Sequence, residues 1–494
     1  TRVRSSAASD VYKRQQWLAL QLARDAMVDA GYEKLDERIR QRTAVILGKG
    51  TYLNGGNATV VQHSLMIGQT LSLLKSLHPE YTDEDMRVLR RELKKTLPAM
   101  GPETVPGLIP NIIVGRIANR LDLMGPSYTI DAACASSLIA VQRAMADLQS
   151  GECDLALVGG SQVWMPVATL NVFCQLGALS RRQQIRPFDE GADGTLLGEG
   201  IGMVVLKRLL DAERDGDRIY AVVKGVGVAS DGRGVTVMAP RVEGEELALR
   251  RAYEAAGVSP ATVGLIEAHG TGTPVGDAVE VQALARVFGG RDGALPRCAI
   301  GSVKSMISHT MPAAGVAGLI KAALSLYHKV LPPTLHCERP NPKLELEKTP
   351  FYVNTEVRPW IHGGKDPRRA GVNAFGFGGI NAHVVLEEYV GPASGAAPKP
   401  LVHLPPRESE VCVLEAPTRG ELLERMGRLV RYLDTIVDGA PDRRTEPFGL
   451  ADLASTLNAA AQSGAETSRL GLVATSLADL KAKLERAATR LADP

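Results

Sequence analysis

Aromatic side chains are scarce: 4% of 494 residues, with only three Trp and seven Phe. Fifty glycines accompany them, which suits closely packed helices and strands joined by many tight turns. Cysteine is also rare. The six (134, 153, 174, 298, 337 and 412) form no CxxC pair, which excludes a disulfide frame and a paired-thiolate zinc site and fits a reduced, cytoplasmic protein. Charge of neither sign accumulates, because 57 Lys+Arg stand against 55 Asp+Glu and are mixed along the chain. A nucleic-acid or anionic-membrane surface is therefore not expected. No long apolar run is present. The longest, residues 313–327, is too short for a membrane span and contains Lys321, so it reads as a buried core helix.

The length suffices for more than one domain or for one large α/β unit. Residues 1–15 lack apolar periodicity and read as a non-native leader; an amphipathic helix follows over 17–30, stopped by Gly31. A short apolar strand occupies 43–48. Residues 51–106 are mostly helical and charged, with a helix start near Thr82 and a solvated face over 86–95. Apolar runs at 154–160 and 200–206 read as strands buried on both faces. The order then begins again: strands at 221–226, 263–268 and 298–303 alternate with helices at 243–256, 278–288 and 313–327. That alternation implies mostly parallel sheets covered by helices, in two rounds, although the residues show no repeat. Residues 391–408 form a linker rich in Pro, Gly and Ala. Beyond it, 409–494 read strand, helix, helix, strand, helix, a small α/β module without a catalytic cluster.

The chemistry centres on TIDAACASSL at 129–138, a strand entering a sharp turn with Cys134 where a helix begins. Free N–H groups and the helix dipole at that place favour a thiolate. A lone cysteine is more often a small core residue. Two histidines change the balance. EAHGTGTPVGD at 267–277 and GSVKSMISH at 301–309 each run an apolar strand into a histidine-bearing loop, where α/β enzymes place reactive groups. NAFGFGGINAH at 373–383 supplies glycines that let backbone approach a ligand. It lacks the G-x-G-x-x-G spacing and continues as a strand, so it is no dinucleotide loop.

DAACASSL, EAHGTGTPVGD, GSVKSMISHT and NAFGFGGINAH, in this order, resemble the β-ketoacyl synthases of type I polyketide and fatty-acid synthases. The resemblance covers residues 16–390 and implies a thiolase-like, five-layered αβαβα duplication with halves of about 16–215 and 216–390. It implies a homodimer and a catalytic triad of Cys134, His269 and His309. It further implies an oxyanion hole from the N–H groups of Cys134 and Phe375, with Phe375 also the gating aromatic, and Lys304, paired with Glu280, orienting His309. Thr271 and Thr273 would bind the phosphopantetheine arm of an acyl carrier protein. The resemblance implies no directly bound cofactor or metal. The implied reaction is decarboxylative Claisen condensation, in which acyl-Cys134 is extended by two carbons from a malonyl-type unit. The tail is similar to the adaptor before an acyltransferase domain, which makes such a domain a partner.

Three departures from the family pattern stand out. Met306 and Ser308 replace the asparagine and glycine usual near the last histidine, and the Ser308 side chain is expected to press on the reactive loop. A central opening strand is missing ahead of Trp17, which predicts poor stability. The long 51–106 segment leans towards the polyunsaturated-fatty-acid-synthase type. Rival readings fare worse. A thiolase needs a second catalytic cysteine, starter-type enzymes carry asparagine where His309 stands, and a cysteine hydrolase gives the second histidine and the threonines no role. A silent scaffold for dimerisation and carrier docking is the alternative from another class.

Overall fold

Helix α1 (Ala7–Asp29) opens the structure, a computed structural model that describes residues 7–50, 55–97, 106–291, 295–363, 366–391, 408–437, 449–460 and 468–492. It begins inside the stretch read as a leader. Gln15 and Gln16 are buried, and the Gln16 amide donates to the Pro106 carbonyl at 2.8 Å. Burial through amide side chains leaves no apolar spacing, so periodicity registers only from Trp17 onward. Ala19, Ala23 and Met27 then form the buried stripe.

After α2 (Glu37–Gln41), β1 (Thr43–Gly48) is buried at every position. Helices α3 (Gly55–Val61), α4 (Ile67–Leu77) and α5 (Asp83–Thr96) form the expected excursion. Thr82 closes a capping box with Asp85, and α5 buries no residue. Next come α6 (Ile112–Leu121), β2 (Ser127–Ile130), α7 (Ser136–Ser150), β3 (Leu155–Gln162), α8 (Val167–Gln175), β4 (Gly200–Lys207) and α9 (Leu209–Asp215). The second round has β5 (Val222–Ser230), α10 (Val242–Ala256), β6 (Val263–Glu267), α11 (Pro274–Phe288), β7 (Cys298–Gly301), α12 (Lys304–Ile307) and α13 (Ala314–His328). Short strands β8 (Val330–Leu331), β9 (Phe351–Val353) and β10 (Arg358–Pro359) lead to the hairpin of β11 (Arg369–Gly376) and β12 (Ile380–Glu387).

The first sheet runs β2-β1-β3-β4 and the second β5-β12-β11-β6-β7-β9. In the first, β1 is parallel to both neighbours and β4 closes antiparallel on β3. In the second, β6 is parallel to β7 and β11, and β12 closes antiparallel on β11. The order β2-β1-β3-β4 thus recurs as β7-β6-β11-β12, a duplication that the residues do not reveal. Helices α7 and α13 touch strands of both sheets and form the middle layer; α1 and α6 cover one outer face, α10 and α11 the other. This is the five-layered αβαβα arrangement.

One expectation about the first sheet is corrected. A missing central strand would leave a gap, but β1 pairs directly with β3 from Thr43↔Leu155 to Gly48↔Gly160. The first strand of the second round, β5, stands at an outer edge beside β12. Its counterpart in the first sheet would flank β4. An edge strand pairs on one side only and contributes less to a sheet than a central one.

The chain divides into compact units Thr1–Gly395 and Ala396–Pro494. The second pairs β13 (Glu410–Ala416) with β14 (Ser468–Ala474) and adds α14 (Arg419–Val437), α15 (Leu450–Ala460) and α16 (Leu477–Ala492) in the expected order. Cys412, Leu422, Met426, Leu433, Leu453 and Leu480 form its core. Residues 392–407, most of the expected linker, lie outside the described residues.

Candidate active site

Cys134 sits in a tight turn between β2 and α7. Ala133, just before it, holds a left-handed backbone (φ +48), a conformation costing roughly 1–2 kcal/mol for a non-glycine residue. Hydrogen bonds hold the turn. Ser136 Oγ accepts the Ala132 N–H at 2.8 Å and donates to the Ala133 carbonyl at 2.6 Å, while Asp131 accepts the Ala133 N–H at 3.1 Å. The sulfur is buried against Phe173 and Met311, with Met165, Ala178, Leu179 and Leu197 around them.

His309 lies across from it, with Nε2 3.1 Å from Cys134 Sγ. Its backbone is fixed at both ends. Its N–H donates to the Leu196 carbonyl at 2.8 Å, and its carbonyl accepts from Gly198 at 2.9 Å. The Met311 N–H donates to His309 Nδ1 at 3.2 Å, so the ring's own hydrogen is on Nε2, facing the sulfur. The His269 ring stands perpendicular to that of His309, centroids 5.5 Å apart. Its Nδ1 accepts the Phe375 N–H at 3.3 Å, which again leaves the hydrogen on Nε2. Burial, with the nearby Lys304 charge, holds both imidazoles well below the usual histidine range, so both are neutral donors.

The structure thus brings together the three groups that the sequence resemblance names. The Beta-ketoacyl synthase, N-terminal domain model matches residues 4–212 and the C-terminal domain model residues 220–338. A ketoacyl-synthetase C-terminal extension follows over 340–418. A ketosynthase from module 6 of the Bacillus subtilis bacillaene synthase superposes with a TM-score of 0.61 at 32% identity, covering 97% of this chain and 72% of that one. The chain belongs to the β-ketoacyl synthase family. A polyunsaturated fatty acid synthase of Thraustochytrium is 38% identical over 378 residues, 76% of this chain and 13% of that protein. Polyketide synthase PksN of Bacillus subtilis is 38% identical over 405 residues, 80% of this chain and 7% of that protein. The chain therefore spans a small part of these curated relatives.

Three details of this ketosynthase site differ from expectation. First, the resting sulfur is a thiol. Burial pushes Cys134 up to about 11, and the Lys304 charge with the N–H groups of Phe377 and Cys134 pulls it only part of the way back. Second, the backbone donor beside the sulfur belongs to Phe377, because Phe375 spends its N–H on His269. The Phe377 ring, and not that of Phe375, is partly exposed, and it stacks on Phe173 with centroids 5.9 Å apart. Third, Glu280 does not pair with Lys304. Its carboxylate accepts the N–H groups of His269 (2.7 Å) and Gly270 (2.8 Å) and the Asn373 amide (2.7 Å), so it supports His269 and not His309. Lys304 is buried and forms no ion pair among the described residues. Burial lowers its pKa, and the charges of Glu267 and Glu280 act at a distance to raise it.

Thr271 and Thr273 are together, their hydroxyls 3.0 Å apart on the turn after His269. Ser308 takes φ +64 and ψ 178, a region that suits glycine, yet His309 still meets Cys134. Met306 is exposed. Sequence reasoning missed Asp277, whose buried carboxylate ties Gly272 to Phe188 through their N–H groups at 3.1 and 2.8 Å. It also missed Glu267, which holds the Val303 N–H at 2.6 Å beneath the Lys304 turn. Both lie inside the quoted motifs, where a carboxylate next to a glycine-rich turn was the available signal.

Proposed function

We propose that this chain catalyses decarboxylative Claisen condensation between an acyl group on Cys134 and a malonyl-type extender on an acyl carrier protein. The observation that carries the reading is the sulfur 3.1 Å from His309 Nε2, with both imidazoles turned by backbone donors so that Nε2 bears hydrogen. Cys134 takes the acyl group from a carrier thioester, and the thiol proton ends on the departing pantetheine sulfur. The N–H groups of Cys134 and Phe377 stabilise the tetrahedral oxyanion; one such donor is worth about 2.7–4 kcal/mol of barrier. The extender then loses CO2 while His269 and His309 donate to its thioester oxygen, where enolate charge develops. The carbanion attacks acyl-Cys134, the thiolate leaves, and a β-keto chain two carbons longer remains on the carrier.

Thr271 and Thr273 would bind the pantetheine arm, supported by their paired hydroxyls beside His269. A homodimer is supported by the outer edge of β2, which has no strand partner among the described residues. An adjacent acyltransferase domain is supported by the adaptor-like second unit. Scattered cysteines without a disulfide among the described residues support a cytoplasmic setting. No described helix is long and apolar enough to cross a membrane. The relatives include both polyketide and polyunsaturated fatty acid synthases. With cysteine and both histidines assembled, no observation favours the silent scaffold. The test supplies an acyl-carrier donor and a malonyl-carrier and follows the carrier-bound product by mass. A product longer by two carbons supports the reading. Acylation of Cys134 without condensation would refute it.

A further inference from the structure

Buried polar side chains continue away from the reactive pocket, on the far side of Glu280. Asn373 lies on β11 two residues before Phe375, and its side-chain amide donates to Glu280 Oε1 at 2.7 Å. Across the hairpin, Asn373 is directly paired with His383 on β12, whose Nδ1 is 2.5 Å from Asn373 Oδ1. His383 Nε2 in turn lies 3.1 Å from the Tyr253 hydroxyl on α10. All four side chains are at least 95% buried.

Chemistry allows only one direction for these bonds. A carboxylate accepts and cannot donate, so the NH2 of Asn373 faces Glu280 and its oxygen faces His383. His383 Nδ1 must then carry the hydrogen. Burial drives that imidazole down to about 3, so it stays neutral with a single N–H, and Nε2 accepts from the Tyr253 hydroxyl. Every donor in the series thus points toward Glu280, where successive bonds polarise one another. At the other end, Glu280 grips the N–H groups of His269 and Gly270. Strand β11 therefore reaches His269 by two routes, the Phe375 N–H on its ring and the Asn373 amide through Glu280. The histidine and asparagine of NAFGFGGINAH, unused by the chemistry above, gain a task.

We propose that Asn373, His383 and Tyr253 are positioning residues that hold Glu280, and through it the backbone of His269, in register with His309. The inference rests on the reading of His269 as a donor to the extender thioester. It predicts an effect on decarboxylation and none on the acylation of Cys134, which does not use His269.

The test uses the full chain with a malonyl-pantetheine thioester for decarboxylation and an acyl-pantetheine thioester for Cys134 acylation, read by mass. His383→Leu removes the donor to Asn373, and His383→Asn restores a donor near the Nδ1 position. Expected for His383→Leu is about a tenfold lower kcat for decarboxylation with KM little changed, the scale of a sub-ångström misplacement, and unaltered acylation. His383→Asn should recover most of the loss, and Tyr253→Phe should show the same split in weaker form. Unchanged decarboxylation in His383→Leu, or decarboxylation and acylation falling together, overturns the proposal. If His383→Leu does not fold, Tyr253→Phe decides, and absence of the split there overturns it. His269→Ala separates the two levels. Should it retain decarboxylation, the functional reading itself has failed; should it lose decarboxylation while His383→Leu keeps it, only this inference has.

Discussion

The Met311 N–H donates to His309 Nδ1 at 3.2 Å, and that bond decides which face of the ring can donate to substrate. With Nδ1 occupied, Nε2 presents its hydrogen to the space beside Cys134. His309→Ala should therefore retain Cys134 acylation and lose decarboxylation by roughly 10²–10³-fold, the usual cost of one preorganised donor. His309→Gln, with an amide N–H near the Nε2 position, should fall less. Carbon dioxide release from a malonyl thioester measures both, and equal losses in the two variants would contradict a donor role.

The buried thiol makes a pH prediction whose sign is set by the reactive form. The thiolate alkylates and the thiol does not, and Cys134 rests at about 11. The rate of iodoacetamide labelling at Cys134 should rise steadily through pH 8 to 10 with no plateau. A plateau beginning near neutrality would show a preformed thiolate instead.

Ser308 occupies backbone space that glycine fills without strain. Residues held in such regions cost of order 1–3 kcal/mol, so Ser308→Gly should raise the urea midpoint of the main unit. The opposite change nearby should be harmful. A Cβ on Gly198 would lie 2.7 Å from the Ile307 carbonyl oxygen and 2.9 Å from Ser308 Cβ. Gly198→Ala should thus lower both the midpoint and decarboxylation, while Ser308→Gly preserves activity. Urea titration with a matched activity assay distinguishes these outcomes.

The Phe377 ring lies over Phe173 beside the sulfur, whereas its backbone N–H faces the Cys134 sulfur and is the proposed oxyanion donor. Phe377→Ala removes the cover and keeps the amide. Labelling of Cys134 should quicken, and the acyl-enzyme should hydrolyse faster in water. Mass spectrometry of acyl-Cys134 over time reads the second effect. A hydrolysis rate equal to that of the parent chain would remove the gate from Phe377.

The reactive trio was legible because each member follows an apolar strand within a few residues and is flanked by glycine or other small residues, a pattern that survives in one dimension. The supporting parts were not. In Phe-Gly-Phe-Gly the two rings look equivalent, and only the β11 register separates them: Phe375 pairs with Asn381 inside the ladder, while Phe377 lies past its end. Glu280 and Lys304 suggested a charge pair, but backbone N–H groups, which no sequence displays, had already claimed the carboxylate. The helix start argued for a thiolate, and the depth of burial that overrides it depends on residues from α8 and the 311–313 turn. The pattern of alternating strands and helices revealed two rounds without saying which strand stands at an edge.

Cys134 is carried by the first round of strands and both imidazoles by the second, so the proposed bond formation takes place at the seam of two look-alike halves. Ser137 Oγ on α7 accepts the Val316 N–H of α13 at 2.9 Å, and a Cβ on Gly315 would collide with Leu138. Any perturbation that pries these middle helices apart, whether a bulky substitution or mild denaturant, should extinguish turnover while each sheet remains intact.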